Sequence, residues 1–150
     1  MPPFARSTIL RTGVACLAFV LAGASAAAFD LQGHRGARGL SPENTLPAFE
    51  KALRTGVATL ELDIGMTSDG VLVVSHDPKL NPDITRGPDG AFLTAPGKAL
   101  TAMTLEELRS FDVGRTRPDS RTAKAFPEQT AVDGTRVPTL EDVFALAERL

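Results

Sequence analysis

The sequence predicts the first part of an α/β fold with a parallel sheet. Three observations carry this prediction. Strand, helix, strand, hairpin and helix patterns follow one another in that order, residues 59–64 alternate strictly between polar and apolar, and residues 67–70 form a tight-turn sequence. At 150 residues the chain is expected to hold one domain. It is much shorter than the roughly 250 residues of a complete (β/α)₈ barrel.

The first strand and helix are predicted within residues 29–56. Residues 29–33 indicate a strand that runs into a loop at His34. Ser41 and Pro42 are predicted to open the helix, because Ser is a good N-cap and Pro fits the first helical position. Gly56 is predicted to end it. The apolar face of this helix consists of Leu46, Phe49, Ala52 and Leu53.

The next two strands are predicted at residues 59–64 and 71–74, joined by the turn at residues 67–70. The apolar face of the first of them is expected to lie under helices. Because side chains alternate along a strand, Glu61 and Asp63 are expected on the opposite face, towards the interior of a barrel or crevice. The apolar face consists of Leu60, Leu62 and Ile64.

Residues 78–137 are predicted as a loop-rich insertion after the hairpin, with one helix that begins at the capping box of Thr104 and Glu107. The last helix is predicted to begin at the N-cap Thr139, with Asp142 three residues on. No Gly, Pro or polar tail follows this helix, which indicates a domain cut inside it. Its expected apolar face is Leu140, Val143, Phe144, Ala147 and Leu150.

Residues 1–28 are predicted to be a secretory signal peptide. Arg6 and Arg11 form a basic start, residues 14–23 are apolar and uncharged, and residues 24–26 are small. The alternative is a membrane anchor, but the apolar run is too short to span about 30 Å. Cleavage after Ala26 or Ala28 would remove Cys16, the single cysteine, and leave a periplasmic or secreted chain with no disulfide and no stable membrane anchor.

The charge balance of the mature region bears on its partners. Without Arg6 and Arg11, 14 of the 16 basic residues remain against 18 acidic residues. No basic stripe is present to neutralise a phosphate backbone, so no nucleic-acid partner is expected. A small phosphate ester needs only one or two cations and stays compatible with this composition.

Glu61 and Asp63 are the first candidate site residues. Two carboxylates on one face of a strand repel each other, and burial adds a desolvation cost. A bound Ca²⁺ or Mg²⁺ would offset both effects, since these ions prefer oxygen ligands. The alternative is a strand whose polar face is simply solvated.

His76 follows the second strand of the hairpin, so the register decides what it faces. If the loop is Asp69-Gly70, His76 faces Asp63; if the loop is Ser68-Asp69, it faces Glu61. A three-residue loop would shift the pairing by one and remove this relationship.

His34 lies at the end of the first strand, where ligands bind in parallel α/β folds. A single His is often structural, but two histidines at strand ends beside a cation site could act as general acid and base. Arg35 could clamp an anionic oxygen with two hydrogen bonds. Its alternative role is a surface salt bridge to Glu43, which is expected in the first turn of the helix.

Several motifs, in order, resemble the signature of the glycerophosphodiester phosphodiesterase family, and they cover almost the whole mature chain. They are His34-Arg35-Gly36, Pro42-Glu43-Asn44-Thr45 with Ala48-Phe49, Glu61-Leu62-Asp63, Thr67-Ser68-Asp69-Gly70, Val74-Ser75-His76-Asp77, residues 104–108 and residues 137–141.

This resemblance implies a TIM barrel that hydrolyses glycerophosphodiesters to sn-glycerol 3-phosphate and an alcohol with Ca²⁺ or Mg²⁺. It implies that His34 and His76 are the acid–base pair, Arg35 a phosphate contact, and Glu61 and Asp63 metal ligands.

The family's third metal carboxylate and a nearby Lys would follow the last helix. Residues 29–150 are therefore expected to form an incomplete domain that is inactive alone. The alternatives are a non-catalytic or partner-completed chain, and a phospholipase D-like enzyme acting on lysolipid or sphingolipid head groups.

Overall fold

A parallel pair of strands forms the first sheet of the computed structural model, which describes residues 29–150. β1 (Gln32–His34) pairs with β2 (Thr59–Glu61) in parallel, and α1 (Leu46–Thr55) makes the crossover between them. The predicted α/β architecture with a parallel sheet is thereby confirmed. The predicted signal peptide lies outside the described residues.

Helix α1 begins later than the sequence predicts. Its N-cap is Thr45, whose side chain accepts a hydrogen bond from the Ala48 N–H, and not Ser41. The reason is Asn44, which has a left-handed backbone (φ +56°) that a helix cannot contain. The predicted end at Gly56 is confirmed, because Gly56 has φ +87° and closes the helix with its own N–H.

The single strand predicted at residues 59–64 is two strands. β2 ends at Glu61, and β3 (Ile64–Met66) pairs with β4 (Leu72–Val74) in a separate antiparallel sheet. Leu60 and Leu62 pack against the core as predicted. Ile64 does not and is 54% exposed, because the break before β3 transfers the chain to a different partner strand.

The hairpin register differs from both predicted alternatives. Ile64 pairs with Val74 and Met66 with Leu72. Thr67 and Val71 close a three-residue loop through an N–H to carbonyl hydrogen bond of 3.0 Å. This loop length shifts the pairing by one residue, so neither Glu61 nor Asp63 is directly opposite His76. The Ser75 N–H donates instead to the Asp63 carbonyl, at 3.0 Å.

A long connecting segment, residues 75–138, follows the hairpin and is loop-rich as predicted. It contains a 3₁₀ helix (Leu100–Ala102), α2 (Leu105–Leu108) and α3 (Arg121–Ala125). The capping box at Thr104 is confirmed, whereas α3, capped by Ser120, was not predicted. The segment builds a core with the hairpin from Val73, Leu80, Leu100, Met103, Leu108, Val113 and Val137.

Helix α4 (Leu140–Ala147) begins at the predicted N-cap Thr139. It buries Val143 and Leu146 against Phe49 of α1 and Val74 of β4. The predicted apolar face is wrong in part, because the side of α4 that packs on α1 is that of Val143 and Leu146. Phe144, Ala147 and Leu150 are exposed. Within residues 29–150 no helix has both the length and the apolar character needed to cross a bilayer.

Candidate active site

The carboxyl ends of the two parallel strands bring a histidine and a glutamate together. His34 and Glu61 are register partners, and the Nε2 of His34 is 3.8 Å from the Oε2 of Glu61. The His34 side chain is 61% exposed, so its ring stays accessible. This is the edge of a parallel α/β sheet at which ligands bind.

Arg35 links the two predicted metal carboxylates. Its backbone N–H donates to the Oε2 of Glu61 at 2.8 Å, and its Nε lies 3.3 Å from the Oδ2 of Asp63. Its Nη1 donates to the Oε1 of Glu43 at 2.8 Å. The Arg35 side chain is only 12% exposed, and its Nη2 makes no hydrogen bond within residues 29–150. The buried Nε also makes no hydrogen bond among these residues and is only paired by charge with Asp63, so Nη2 is the guanidinium nitrogen left for a ligand.

The bend after β1 requires the glycine that follows Arg35. Gly36 has φ +78°, and a Cβ there would lie 2.7 Å from the carbonyl carbon of Ala48. Arg35 itself has a left-handed backbone, with φ +52°. The close approach of this bend to α1 turns the Arg35 N–H towards Glu61 and its side chain towards Glu43.

Glu43 is a buried carboxylate shared by two guanidinium groups. Besides Arg35, the Nε of Arg38 lies 2.5 Å from its Oε2. The ion pair between Arg35 and Glu43 was expected as an alternative at the surface; it forms, but it is buried. Glu43 also precedes α1 and is not in its first turn.

Asn44 holds Asp63, a role that its place in the Pro42-Glu43-Asn44-Thr45 motif does not predict. Its Nδ2 donates to the Oδ2 of Asp63 at 3.0 Å, and its backbone N–H donates to the Arg35 carbonyl at 3.0 Å. The signal that could have revealed it is an Asn directly before a Thr N-cap, since Asn accepts the left-handed conformation readily.

His76 is held by its neighbour and not by the carboxylate pair. Its Nδ1 is 2.9 Å from the Oδ1 of Asp77, whose Oδ2 accepts a hydrogen bond of 2.7 Å from the Nδ2 of Asn81. Because a carboxylate only accepts, Nδ1 carries the proton and Nε2 is free to exchange one. His76 also lines a cleft of about 240 Å³ together with Ile64, Met66 and Leu100.

The structure therefore brings together four of the five predicted site residues: His34, Arg35, Glu61 and Asp63. His76 makes no hydrogen bond or ion pair with either predicted metal carboxylate within the described part of the chain. Asp77 and Asn81 orient His76, and neither role is predicted from the sequence, although Asp77 belongs to a quoted motif. An Asp directly after the candidate His is the available signal.

Glu61 and Asp63 suit part of a divalent-cation site. Each has one oxygen engaged by Arg35 or Asn44, and its other oxygen, Oε1 or Oδ1, has no hydrogen-bond partner among residues 29–150. Such free carboxylate oxygens are the donors that Ca²⁺ and Mg²⁺ prefer. No group of three or more His, Cys, Asp or Glu side chains arranged for a metal is found within those residues.

Fold and site together define an α/β protein with acidic and histidine side chains gathered at the carboxyl ends of parallel strands. The profile of the glycerophosphoryl diester phosphodiesterase family matches residues 34–149. The chain belongs to this family, which confirms the resemblance seen in its motifs.

Curated relatives of the chain are named as members of the same family. The chain is 36% identical over 111 residues to a glycerophosphodiester phosphodiesterase of Bacillus subtilis, covering 73% of this chain and 33% of that protein. It is 38% identical over 114 residues to the Bacillus altitudinis protein of the same name, covering 75% of this chain and 38% of that protein. The chain thus spans about a third of the length of these relatives.

Solved structures give the same result. A protein of Silicibacter pomeroyi, assigned as a glycerophosphoryl diester phosphodiesterase, is 42% identical with a TM-score of 0.74 over 77% of this chain and 39% of its own. A phosphodiesterase of Oleispira antarctica, solved in complex with the product sn-glycerol-3-phosphate, is 25% identical with a TM-score of 0.57 over 81% of this chain and 40% of its own.

Proposed function

We propose that the protein hydrolyses glycerophosphodiesters to sn-glycerol 3-phosphate and an alcohol, using a divalent cation and the acid–base pair His34 and His76. The observation that carries this proposal is the parallel register of β1 and β2, which places His34 beside Glu61 while Arg35 links Glu61 to Asp63. Family membership and the product bound to the Oleispira antarctica relative support the substrate class.

Glu61 and Asp63 would hold the cation, Ca²⁺ or Mg²⁺, through their free oxygens. When bound, the cation would polarise the phosphate and lower the pKa of the attacking hydroxyl. Arg35 would contribute its free Nη2 to a phosphate oxygen, since guanidinium groups suit phosphate geometry. The ion pair with Glu43 keeps that guanidinium in place before substrate arrives.

The two histidines would move the protons. One takes the proton of the glycerol 2-hydroxyl as that oxygen attacks phosphorus, and the other protonates the oxygen of the departing alcohol. The free Nε2 of His76 suits either role, because Asp77 fixes its tautomer. Water then opens the cyclic phosphate with the two roles reversed.

The direct test is hydrolysis of glycerophosphocholine by the full-length protein. Purified protein treated with EDTA should release no sn-glycerol 3-phosphate, and millimolar Ca²⁺ or Mg²⁺ should restore release. Turnover that is unaffected by EDTA would contradict the cation requirement, and absence of turnover under all of these conditions would contradict the substrate class.

A second candidate is cleavage of lysolipid head groups in the manner of phospholipase D. The cleft beside His76 favours it, because its walls include the apolar side chains of Ile64, Met66 and Leu100. The ratio of kcat/KM for lysophosphatidylcholine and glycerophosphocholine separates the two: a ratio well above one supports the lysolipid activity, and a ratio well below one supports the glycerophosphodiester activity.

We also propose that residues 1–28 direct the chain to the periplasm or the exterior of the cell. The basic start, apolar run and small-residue site support this proposal.

A further inference from the structure

We propose that Asn44 is a positioning residue that presents Asp63 to the divalent cation. This inference rests on the proposed function, in which Asp63 is a ligand. The three observations behind it are the hydrogen bond from Asn44 to Asp63, the fixed backbone of Asn44, and a buried amide oxygen that has no hydrogen-bond partner.

Both contacts of the Asp63 carboxylate involve the same oxygen, Oδ2. The Nδ2 of Asn44 donates to its Oδ2 at 3.0 Å, and the Nε of Arg35 lies 3.3 Å from the same oxygen. The Oδ1 of Asp63 makes no hydrogen bond within residues 29–150. Only the Asn44 contact is a hydrogen bond, since the buried Nε of Arg35 has no hydrogen-bond partner in the described part of the chain and attracts Oδ2 by charge alone. Asn44 is therefore the group that fixes the rotation of the carboxylate and leaves Oδ1 for an outside ligand.

The backbone of Asn44 fixes where its side chain begins. The residue is 5% exposed and has φ +56°, and its N–H donates to the carbonyl of Arg35 at 3.0 Å. It is not the cap of α1, because the Thr45 side chain accepts the hydrogen bond from the Ala48 N–H. Asn44 therefore lies in a turn tied to Arg35, with its amide held against Asp63.

The orphaned oxygen of Asn44 indicates what sets the amide orientation. Its Oδ1 is buried and makes no hydrogen bond. Buried polar atoms in proteins are usually paired, so this exception needs a reason. Reversing the amide would place Oδ1 against the Oδ2 of Asp63, two acceptors facing each other. The hydrogen bond to Asp63 is thus what decides how this side chain lies.

The test is the Ca²⁺ affinity of the full-length protein, measured by isothermal titration calorimetry. The substitution Asn44→Gly removes the amide and keeps the left-handed backbone, which Gly adopts without strain. We expect Ca²⁺ to bind about 10–100-fold more weakly, the usual effect of losing a group that orients a metal ligand. The thermal midpoint in EDTA should change little.

A matched control removes the same kind of bond elsewhere. Asn81→Ala deletes an amide that donates to the carboxylate of Asp77 at 2.7 Å, away from the predicted metal pair. We expect its Ca²⁺ affinity to equal that of the wild type. Equal weakening in Asn81→Ala and Asn44→Gly would overturn the inference, since the effect would then not depend on Asp63.

Asp63→Ala separates this inference from the proposed function. We expect this variant to bind Ca²⁺ much more weakly but measurably, and Asn44→Gly to weaken binding no further in its background. Wild-type affinity in Asn44→Gly together with weakened binding in Asp63→Ala would overturn the role of Asn44 and leave the proposed function intact. Wild-type affinity in Asp63→Ala would overturn the metal assignment itself.

Nuclear magnetic resonance keeps the inference testable if Asn44→Gly does not fold. The assigned side-chain amide signals of Asn44 in the wild type should shift during a Ca²⁺ titration, with the midpoint found by calorimetry. Signals that stay unchanged while Ca²⁺ binds would overturn the inference.

Discussion

His34 and Glu61 lie directly opposite each other in the parallel pair of β1 and β2, with the Nε2 of His34 3.8 Å from the Oε2 of Glu61. That distance is too long for a hydrogen bond, so the imidazole is not committed to the carboxylate. The same carboxylate oxygen is held by the Arg35 N–H at 2.8 Å. One residue of the pair is thus fixed while the other is open to a ligand.

Removal of either histidine should reduce turnover without affecting the cation. We expect His34→Ala and His76→Ala each to lower kcat for glycerophosphocholine by about 10²–10⁴-fold, the usual contribution of general acid–base catalysis. Calorimetry should find Ca²⁺ affinity close to wild type in both variants. A variant with the wild-type kcat would show that its histidine is not part of the acid–base pair.

Substitution of Asp77 is expected to lower kcat because Asp77 fixes the tautomer of His76. In Asp77→Asn the side-chain amide can donate an N–H to Nδ1 of His76, which favours the tautomer whose proton is on Nε2. In a serine protease the analogous change lowers kcat by about 10⁴-fold. We expect a large loss of kcat at neutral pH with little change in KM, measured across a pH series. Asn81→Ala, which keeps the Asp77 carboxylate, should lose much less. Equal losses in the two variants would contradict an effect on the tautomer.

The connecting segment should lose stability in acid because of Asp112. Burial raises the pKa of Asp112, but hydrogen bonds from the N–H groups of Gly114 and Gly134 and the charge of Arg86 outweigh this and hold it below the usual 3.8. A depressed pKa contributes stability that is present above about pH 4 and is lost as the pH falls through the folded-state pKa.

Thermal melts of the wild type and Asp112→Asn at several pH values test this. The wild type should have the higher Tm at pH 7. The difference in Tm between the two proteins should become smaller below about pH 4, because Asp112 then takes up its proton. The nearby Asp133 is exposed, and the hydrogen bond from Arg115 lowers its pKa to about 2. Asp133 therefore keeps its charge over most of this pH range. A difference in Tm that stays constant from pH 7 to pH 2 would contradict the role of Asp112.

Export is predicted to produce a defined N-terminus. Signal-peptide cleavage after Ala26 or Ala28 gives mature chains that begin at Ala27 or Phe29. Mass spectrometry of protein recovered from outside the cytoplasm distinguishes these two products. An intact Met1 on the exported protein would contradict the signal-peptide interpretation.

The sequence predicted well wherever a short local signal decided the structure. The caps at Thr104 and Thr139 and the end of α1 at Gly56 are of this kind, because each depends on a few neighbouring residues. The parallel sheet also followed from the order of elements.

The predictions failed where tertiary contacts overrode a local pattern. Alternation over residues 59–64 could not show that β2 and β3 pair with different strands, and turn residues alone could not distinguish loop lengths in the hairpin. The role of Asn44 does not follow from its motif, because it depends on Asp63, which lies 19 residues away in the sequence.

The Ca²⁺ dependence of glycerophosphocholine hydrolysis, compared between Glu61→Ala and His34→Ala of the full-length protein, tests the central claim most directly. The account predicts that Glu61→Ala needs far more Ca²⁺ for half-maximal turnover and is partly rescued by high Ca²⁺. It predicts that His34→Ala keeps the wild-type half-maximal Ca²⁺ concentration at a much reduced kcat. Rescue of His34→Ala by Ca²⁺, with no response in Glu61→Ala, would contradict the assignment of acid–base chemistry to the histidine and cation binding to the carboxylate.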